Sequence, residues 1–202
     1  MNKKIEIQYF GDIYSYLKFI NCSNAFFYPY ESYFRAQHLN RMKLMGANGP
    51  LLLSVPLEGG RDQKVKWKDV RVAYAEPWQR IHWRGIHDNY RKAPWFDDYV
   101  PELERLFQKQ EKFLLDLNLE TMCYCLDRLK LKVDILADEA KQPEVKRRIP
   151  VQKTEAAPAE IFPVYQQVFS ERHGFAPNLS ILDLLLCEGP LAGSYLKKLE
   201  QL

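Results

Sequence analysis

Residues 5–28 have the sequence IEIQYFGDIYSYLKFINCSNAFFY, and this stretch decides the fold class. Apolar and polar residues alternate over residues 5–10, which predicts a strand. After Gly11-Asp12, apolar residues recur at helical spacing over residues 13–20, and a second apolar run covers residues 25–28. The order strand, helix, strand predicts the start of a parallel α/β sheet with a right-handed crossover.

A β-hairpin is predicted after this unit. Residues 40–45 alternate, residues 51–57 form an apolar run, and Ala47-Asn48-Gly49-Pro50 lies between them. Asn-Gly is a strong hairpin signal because both residues tolerate a positive φ. The polar segment 58–68 contains two adjacent glycines and predicts a loop, and residues 69–75 are compatible with a further strand.

Helical spacing dominates the next part of the chain. One helix is predicted from Pro77 to Ala93-Pro94, because proline suits the first turn of a helix. A second helical stretch runs from Pro101 to Leu129 with a break near Gln110, and residues 131–136 alternate as in a strand.

The complete pattern predicts an α/β protein with a mostly parallel central sheet, an added β-hairpin and a helical C-terminal portion. Residues 1–137 are expected to form the core domain. Residues 138–158 are rich in Pro, Lys and Glu and predict a linker or an extended arm. Residues 159–202 are expected to pack back on the core, with helices over residues 159–171, over residues 179–188 and after Pro190.

Composition excludes several classes of protein. The chain has 202 residues and a net charge of +3, which is too small an excess for the clustered basic face of a nucleic-acid-binding protein. Glu6 interrupts any signal-peptide core, and no run approaches the roughly 20 apolar residues that span a bilayer. We therefore expect a cytoplasmic protein with no integral membrane segment and no nucleic-acid partner.

The cysteines and the aromatic residues add two expectations. Only Cys123 and Cys125 among the four cysteines are closely spaced, and one such pair lacks the ligand spacing of a zinc site. We therefore expect reduced thiols and no metal. Aromatic residues make up 13% of the chain, so some rings are expected to line a surface or a cleft.

The helix that begins at Pro77 carries the best-organised polar pair. His82 and Asn89 are seven residues apart and therefore share a face two turns apart. A histidine and an asparagine in one cleft could orient and deprotonate a substrate nucleophile. In the alternative interpretation, His82 bonds to nearby backbone and Asn89 braces the turn before Ala93-Pro94.

The predicted hairpin carries a second candidate cluster, formed by Asn40, Arg41 and Lys43. Arg41 and Lys43 share one face of the strand, and two cations on one face could clamp a phosphate or a carboxylate. In the alternative interpretation, both charges simply point to solvent.

A third cluster lies near the C-terminus. Ser180 and Asp183 precede an apolar run with the spacing of a capping box, so neither needs a catalytic role. A Ser-His-Asp set with His173 is discounted because no strained elbow exposes the serine. His173 and Asn178 stay open to a functional or a structural role.

Several of these segments together resemble one family. Asn40-Arg41 followed by Ala47-Asn48-Gly49-Pro50 and Leu53-Ser54-Val55-Pro56 resembles a block of the WbqC-like proteins. The segment from Trp78 to Phe96, together with Leu117-Asn118-Leu119, is similar to the central block of that family. The segment from Arg172 to Pro190 is similar to its C-terminal block. The polar members of these blocks are Asn40, Arg41, His82, Asn89, Tyr90, His173, Asn178 and Asp183.

The resemblance implies a bacterial protein of O-antigen or other surface-polysaccharide biosynthesis, with a suggested role in transferring glycine or another aminoacyl group to a sugar. His82 and Asn89 would be catalytic, and Asn40, Arg41, Tyr90, His173 and Asn178 would bind the substrate. The hairpin pattern adds Lys43 to the substrate-binding residues. The chain departs from the family at Gln8-Tyr9-Phe10-Gly11-Asp12, where many relatives have prolines.

Two function classes therefore stand open, with no cofactor and no oligomeric state implied. The first is a group transferase with a small-molecule substrate, for which a sugar nucleotide is one candidate. The second is a non-catalytic protein of the same pathway that binds a sugar nucleotide or a partner. Parallel α/β sheets bind ligands beyond the carboxyl ends of their strands. The rings of Tyr9, Tyr14, Tyr16, Tyr28, Tyr30, Tyr33 and Trp78 are therefore expected to line a cleft there.

Overall fold

Three parallel strands form the sheet that the opening sequence predicts. The computed structural model of the chain describes residues 2–33, 39–59, 65–138 and 158–202. Strands β1 (Asn2–Lys4), β2 (Asn24–Phe27) and β5 (Asp134–Ala137) lie in the order β1-β2-β5. Ala25 in the central strand lies opposite Lys3 on one side and Ile135 on the other. The predicted mixed α/β class with a parallel sheet is confirmed.

The first strand is shorter than the pattern predicts and lies earlier in the chain. β1 ends at Lys4, so a strand over residues 5–10 is wrong, although Ile5, Ile7 and Tyr9 are all buried. The Tyr9 amide donates to the Leu39 carbonyl oxygen. The Ile5 amide still donates to the Phe26 carbonyl oxygen of β2 at 2.9 Å. Beyond Ile5, the alternation therefore reflects alternating burial in an extended chain.

Helix α1 (Ile13–Tyr16) is short and is continued by a 3₁₀ turn over Leu17–Phe19. The Asp12 carboxylate caps the helix by accepting a hydrogen bond of 2.8 Å from the Ser15 amide. The preceding Phe10 has a φ of 43°, an uncommon conformation for a bulky residue. The segment just before α1 therefore makes a sharp turn into the helix.

The hairpin forms where the sequence predicts it. Strands β3 (Arg41–Gly46) and β4 (Gly49–Ser54) are antiparallel and are joined by two residues, Ala47 and Asn48. The positive φ falls on Gly49, at 109°, and not on Asn48. An added Cβ at Gly85 would lie in van der Waals contact with Leu51 and Leu53 of β4, so the hairpin packs closely against the helix that contains Gly85.

That helix is α2 (Trp78–Tyr90), and it is followed by α3 (Phe96–Gln108) and α4 (Leu114–Arg128). The predicted break near Gln110 is confirmed, although α3 begins before Pro101. Residues 69–75 do not form a regular strand. Arg71 and Val72 make only isolated bridges, to Phe113 and Leu57 respectively.

The C-terminal portion contains α5 (Ser170–His173), α6 (Ile181–Glu188) and α7 (Ala192–Glu200). A continuous helix over residues 159–171 is wrong, because only a 3₁₀ turn at Ala159–Ile161 and the start of α5 at Ser170 are helical there. Pro163 has no amide hydrogen to donate within a helix, and the burial of Tyr165 and Gln167, two residues apart, follows the period of an extended chain.

Helix α6 lies at the centre of the core. Every residue from Ile181 to Cys187 is buried, and the helix contacts α1, α3, α4 and β3. Residues 139–157 lie outside the described residues, so the linker and the domain boundaries stay predictions. Within the described ranges, no helix has the length and apolarity needed to cross a membrane.

Candidate functional site

Three of the predicted site residues meet at the base of the hairpin, where β3 begins and β4 ends. Asn40 Nδ2 donates to the Val55 carbonyl oxygen at 2.7 Å, and the Val55 amide donates to the Asn40 carbonyl oxygen at 2.9 Å. Arg41 lies opposite Ser54 in the hairpin register, and the Ser54 carbonyl accepts a hydrogen bond from the His82 ring. The structure therefore brings Asn40, Arg41 and His82 together around residues 54–55.

The His82 imidazole is enclosed at this base. Its side chain is 3% exposed, and its Nδ1 lies 3.0 Å from the Tyr9 hydroxyl. The Trp78 ring packs edge-on against it with the ring centroids 5.0 Å apart. Since the other ring nitrogen donates to Ser54, Nδ1 accepts the hydrogen bond from Tyr9.

Burial controls the protonation of this histidine. It lowers the pKa of His82 to about 4, against the opposing effect of the hydrogen bond to Ser54. The imidazole is therefore neutral at neutral pH, as a general base must be. Both of its nitrogens are hydrogen-bonded to the protein in this structure, and general-base catalysis by His82 stays a prediction.

Two further predicted residues hold the tip of the hairpin. Asn89 Oδ1 accepts from the Ala47 amide at 3.0 Å, and Asn89 Nδ2 donates to the Gly85 carbonyl at 2.7 Å. From the other side, His173 Nε2 lies 3.0 Å from the Ala47 carbonyl oxygen. Asn89 and His173 therefore fix the turn of the hairpin through its backbone. One interpretation predicted that Asn89 braces the turn before Ala93-Pro94, whereas its side-chain oxygen binds the turn of the hairpin.

Tyr90 and Asp183 form a buried network behind the turn. The Tyr90 hydroxyl accepts from the Met45 amide at 3.1 Å and donates to Asp183 Oδ2 at 2.6 Å. The Tyr165 hydroxyl donates to Asp183 Oδ1, and Gln167 Nε2 donates to the same oxygen at 3.2 Å. Burial raises the pKa of Asp183, and these three donors oppose that change.

Sequence reasoning did not identify the partners of Asp183. The spacing of Ser180 and Asp183 indicated a helix cap, and Ser180 does accept a hydrogen bond from the Leu182 amide. The Asp183 side chain is 1% exposed and points into the core. Its partners Tyr165 and Gln167 lie in an irregular segment without periodicity, so no local pattern could have identified them.

The outward face of the hairpin carries the predicted cation pair. Arg41 and Lys43 alternate with the buried residues Met42 and Leu44, so they share the face that points away from α2. Lys43 is exposed, and its cross-strand neighbour Leu52 is uncharged and 57% exposed. Lys43 therefore presents its positive charge to solvent on this face, while Arg41 is partly buried.

The remaining predicted residue, Asn178, lies at a different joint. Its side-chain oxygen accepts a hydrogen bond of 2.9 Å from the Tyr14 amide at the start of α1, and its φ is 51°. The neighbouring Ser180 amide donates to the Lys43 carbonyl oxygen at 2.7 Å. The segment 178–180 thus connects α1 to the hairpin, through the Asn178 side chain at one end and the Ser180 amide at the other.

Most of the rings predicted to line a cleft are part of the core. Tyr9, Tyr16, Tyr33 and Trp78 are buried, so that prediction is wrong for these four. Tyr28 and Tyr30 follow the central strand and have the ammonium groups of Lys4 and Lys68 over their rings, at 4.5 and 5.2 Å from the centroids. In the part of the chain that the structure describes, no group of three or more His, Cys, Asp or Glu side chains could hold a metal ion.

The comparisons with known proteins give one result. A family model described as the WbqC-like protein family matches residues 9–157, which is more than half of the chain. No curated protein and no solved structure matches. The matched range contains the hairpin and α2 and therefore most of the predicted site residues, whereas His173 and Asn178 lie beyond it.

Proposed function

We propose that this chain, which belongs to the WbqC-like protein family, binds a phosphate-bearing sugar precursor such as a sugar nucleotide in bacterial surface-polysaccharide biosynthesis. The pathway comes from the family resemblance. The binding role rests on one observation, the outward face of the hairpin with Arg41 and Lys43. Two adjacent cations on one strand face are suited to a diphosphate, whose charge is spread over several oxygens.

The fixed backbone of the hairpin supports this proposal. Asn40 anchors its base, while Asn89 and His173 anchor its turn at Ala47. A binding surface that is rigid before the ligand arrives loses less conformational entropy on binding. The side chains shared with the family would then act by positioning the hairpin, and the cations would contact the ligand.

Titration calorimetry with a panel of nucleoside diphosphate sugars tests the binding role. We expect the Lys43→Glu variant to bind about tenfold more weakly, because it replaces an attraction by a repulsion at short range. The control is Lys132→Glu, which makes the same charge change at an exposed residue near β5. The binding should also weaken with added salt, since exposed charges are screened. Equal affinity for both variants would contradict the proposal.

Group transfer to the bound sugar is the second candidate, and the neutral His82 at the base of the same hairpin favours it. In such a reaction the sugar nucleophile attacks the acyl carbon, a base accepts its proton and the leaving group departs. His82 donates to the Ser54 carbonyl, and Arg41 lies opposite Ser54 in the hairpin register, so the base and the cation would lie at the same end of the hairpin, on its two faces. A binding protein needs no such base.

The His82→Gln variant separates the two candidates, because glutamine keeps a hydrogen-bond donor for Ser54 but cannot act as a base near neutral pH. For a transferase we expect kcat to fall at least 100-fold with little change in KM, within the range attributed to general bases. The Tyr9→Phe variant is the matched control, since it removes only the hydroxyl that contacts the imidazole. Full turnover by a folded His82→Gln protein would remove His82 as the base.

A further inference from the structure

A cleft of about 520 Å³ lies between α2 and α3, away from all the predicted site residues. Gln79, Arg80 and Trp83 of α2 line it, whereas Gly85 and Asn89 contact the hairpin. At 100° per residue, these two sets lie on different faces of the helix. The proposed phosphate-binding face and the cleft are therefore separate sites on the two sides of α2.

Three aromatic side chains form the apolar part of the cleft: Tyr74, Trp83 and Phe107. Trp83 is only half-buried, and its ring packs on that of Phe107 with the centroids 5.9 Å apart. The Tyr74 hydroxyl donates to the Glu111 carbonyl oxygen at 2.8 Å, which fixes the ring from outside the cleft. Tyr74 and Trp83 are half-buried and present ring surface to a ligand, and Phe107 is buried and supports the Trp83 ring.

Three glutamine side chains also line the cleft. The amides of Gln108 and Gln110 each carry an acceptor oxygen and two donor hydrogens, while the Gln79 amide already donates to the Lys109 carbonyl oxygen. Flat groups of this kind can pair with two neighbouring hydroxyls of a sugar ring, while an aromatic face contacts its C–H groups. The cleft thus combines the two kinds of contact that a polyhydroxylated ring requires.

The charge of the lining limits the class of ligand. The lining contains two carboxylates, Glu76 and Glu104, and one guanidinium, Arg80, so its charged groups carry one net negative charge. Phosphate groups would meet more repulsion than attraction here, in contrast to the outward face of the hairpin. A volume of this size lies within the usual range of roughly 300–1,000 Å³ for small-molecule sites.

We propose that the cleft between α2 and α3 binds an uncharged saccharide through the rings of Tyr74 and Trp83, with Phe107 supporting Trp83. This site is additional to the phosphate-bearing ligand of the hairpin, and it does not depend on that assignment. A protein with both sites could hold a sugar of a growing glycan on one side of α2 and a phosphate-activated sugar on the other.

Saturation-transfer NMR with uncharged saccharides tests the proposal on the full chain. The panel is glucose, galactose, N-acetylglucosamine, lactose and chitobiose, each at millimolar concentration. We expect transfer to the ring C–H protons of at least one sugar, and affinity at least tenfold weaker in Trp83→Ala. The matched control is Ile81→Ala, which truncates a side chain on α2 that is 54% exposed and outside the lining.

Folding and site effects are separated by two further variants. Trp83→Phe keeps a ring on Phe107 and should keep binding within threefold of the wild type. If Trp83→Ala does not fold, the double variant Gln108→Ala/Gln110→Ala, at two exposed positions, should still weaken binding. The absence of transfer to every sugar, unchanged affinity in folded Trp83→Ala, or displacement of the sugar by inorganic pyrophosphate would each overturn the proposal.

Discussion

Removing the hydroxyl of Tyr90 should destabilise the protein strongly without changing the shape of its core. The ring of Tyr90 is fully buried, and its hydroxyl joins the Met45 amide of β3 to the Asp183 carboxylate of α6. In Tyr90→Phe the ring stays, while one buried amide and one carboxylate oxygen each lose a hydrogen-bond partner. We therefore expect a large effect from the loss of a single oxygen atom.

The magnitude follows from these two lost contacts. A hydrogen bond to a charged group contributes about 1.5–3 kcal/mol, and an unsatisfied buried amide costs about 1–3 kcal/mol. A loss of about 3 kcal/mol in the free energy of unfolding is a large part of the typical 5–15 kcal/mol. With a urea slope near 2.5 kcal/mol/M, the unfolding midpoint should fall by roughly 1 M.

The assay is urea unfolding followed by circular dichroism, with Tyr30→Phe as the control. Tyr30 is 38% exposed, and the cation over its ring is retained, so its variant should change stability by less than about 0.5 kcal/mol. In a double-mutant cycle, Tyr90→Phe and Asp183→Asn should be coupled by at least about 1 kcal/mol. A loss below about 1 kcal/mol for Tyr90→Phe, or additive behaviour in the cycle, would refute this reasoning.

Three further outcomes can be measured by the same unfolding assay. The pKa of His82 falls from an ordinary 6.5 to about 4 in the folded state, so the wild type should lose about 3 kcal/mol as the pH drops through this window. The His82→Gln variant should not show this loss of stability. Equal pH profiles of the variant and the wild type would contradict the burial of a neutral ring. Asn89→Ala should cost about 1–2 kcal/mol because the turn amide loses its acceptor; no change would show that the turn does not need it. Gly189→Ala should prevent folding, because its φ is 52° and its Cβ would overlap the Trp95 ring, whereas Gly49→Ala has open space and should cost only about 1–2 kcal/mol; a stable Gly189→Ala protein would contradict this.

Patterns along the chain predicted the elements that local residues determine. The hairpin, α2, the break between α3 and α4, and α6 all lie where spacing, glycine and proline place them. The extended segments were less predictable, because alternating apolar residues indicate which side chains are buried and do not indicate which strand lies beside them. Ile5, Ile7 and Tyr9 alternate in burial as a strand would, yet β1 ends at Lys4 and the Tyr9 amide bonds to Leu39, which lies outside the strands.

The candidate site shows the same division. Sequence reasoning selected Asn40, Arg41 and His82, and these residues do meet at the base of the hairpin. The contact between Tyr9 and His82 joins residues 73 apart in the chain, and no spacing rule reaches over such a distance. The cleft between α2 and α3 was likewise not predictable, because it arises from the packing of two helices and not from a motif.

The central position of α6 has a consequence for how the chain acquires its structure. The Ser180 hydroxyl donates to the Phe10 carbonyl oxygen across a separation of 170 residues, and the Ile181 amide donates to the Gly11 carbonyl oxygen. Contacts of such high order slow folding, because a long loop must close before they form. During synthesis the apolar surfaces of α3, α4 and β3 that face α6 stay uncovered until about residue 188 has left the ribosome. A nascent chain stalled before that point should therefore bind chaperones, and release of α6 should end that binding.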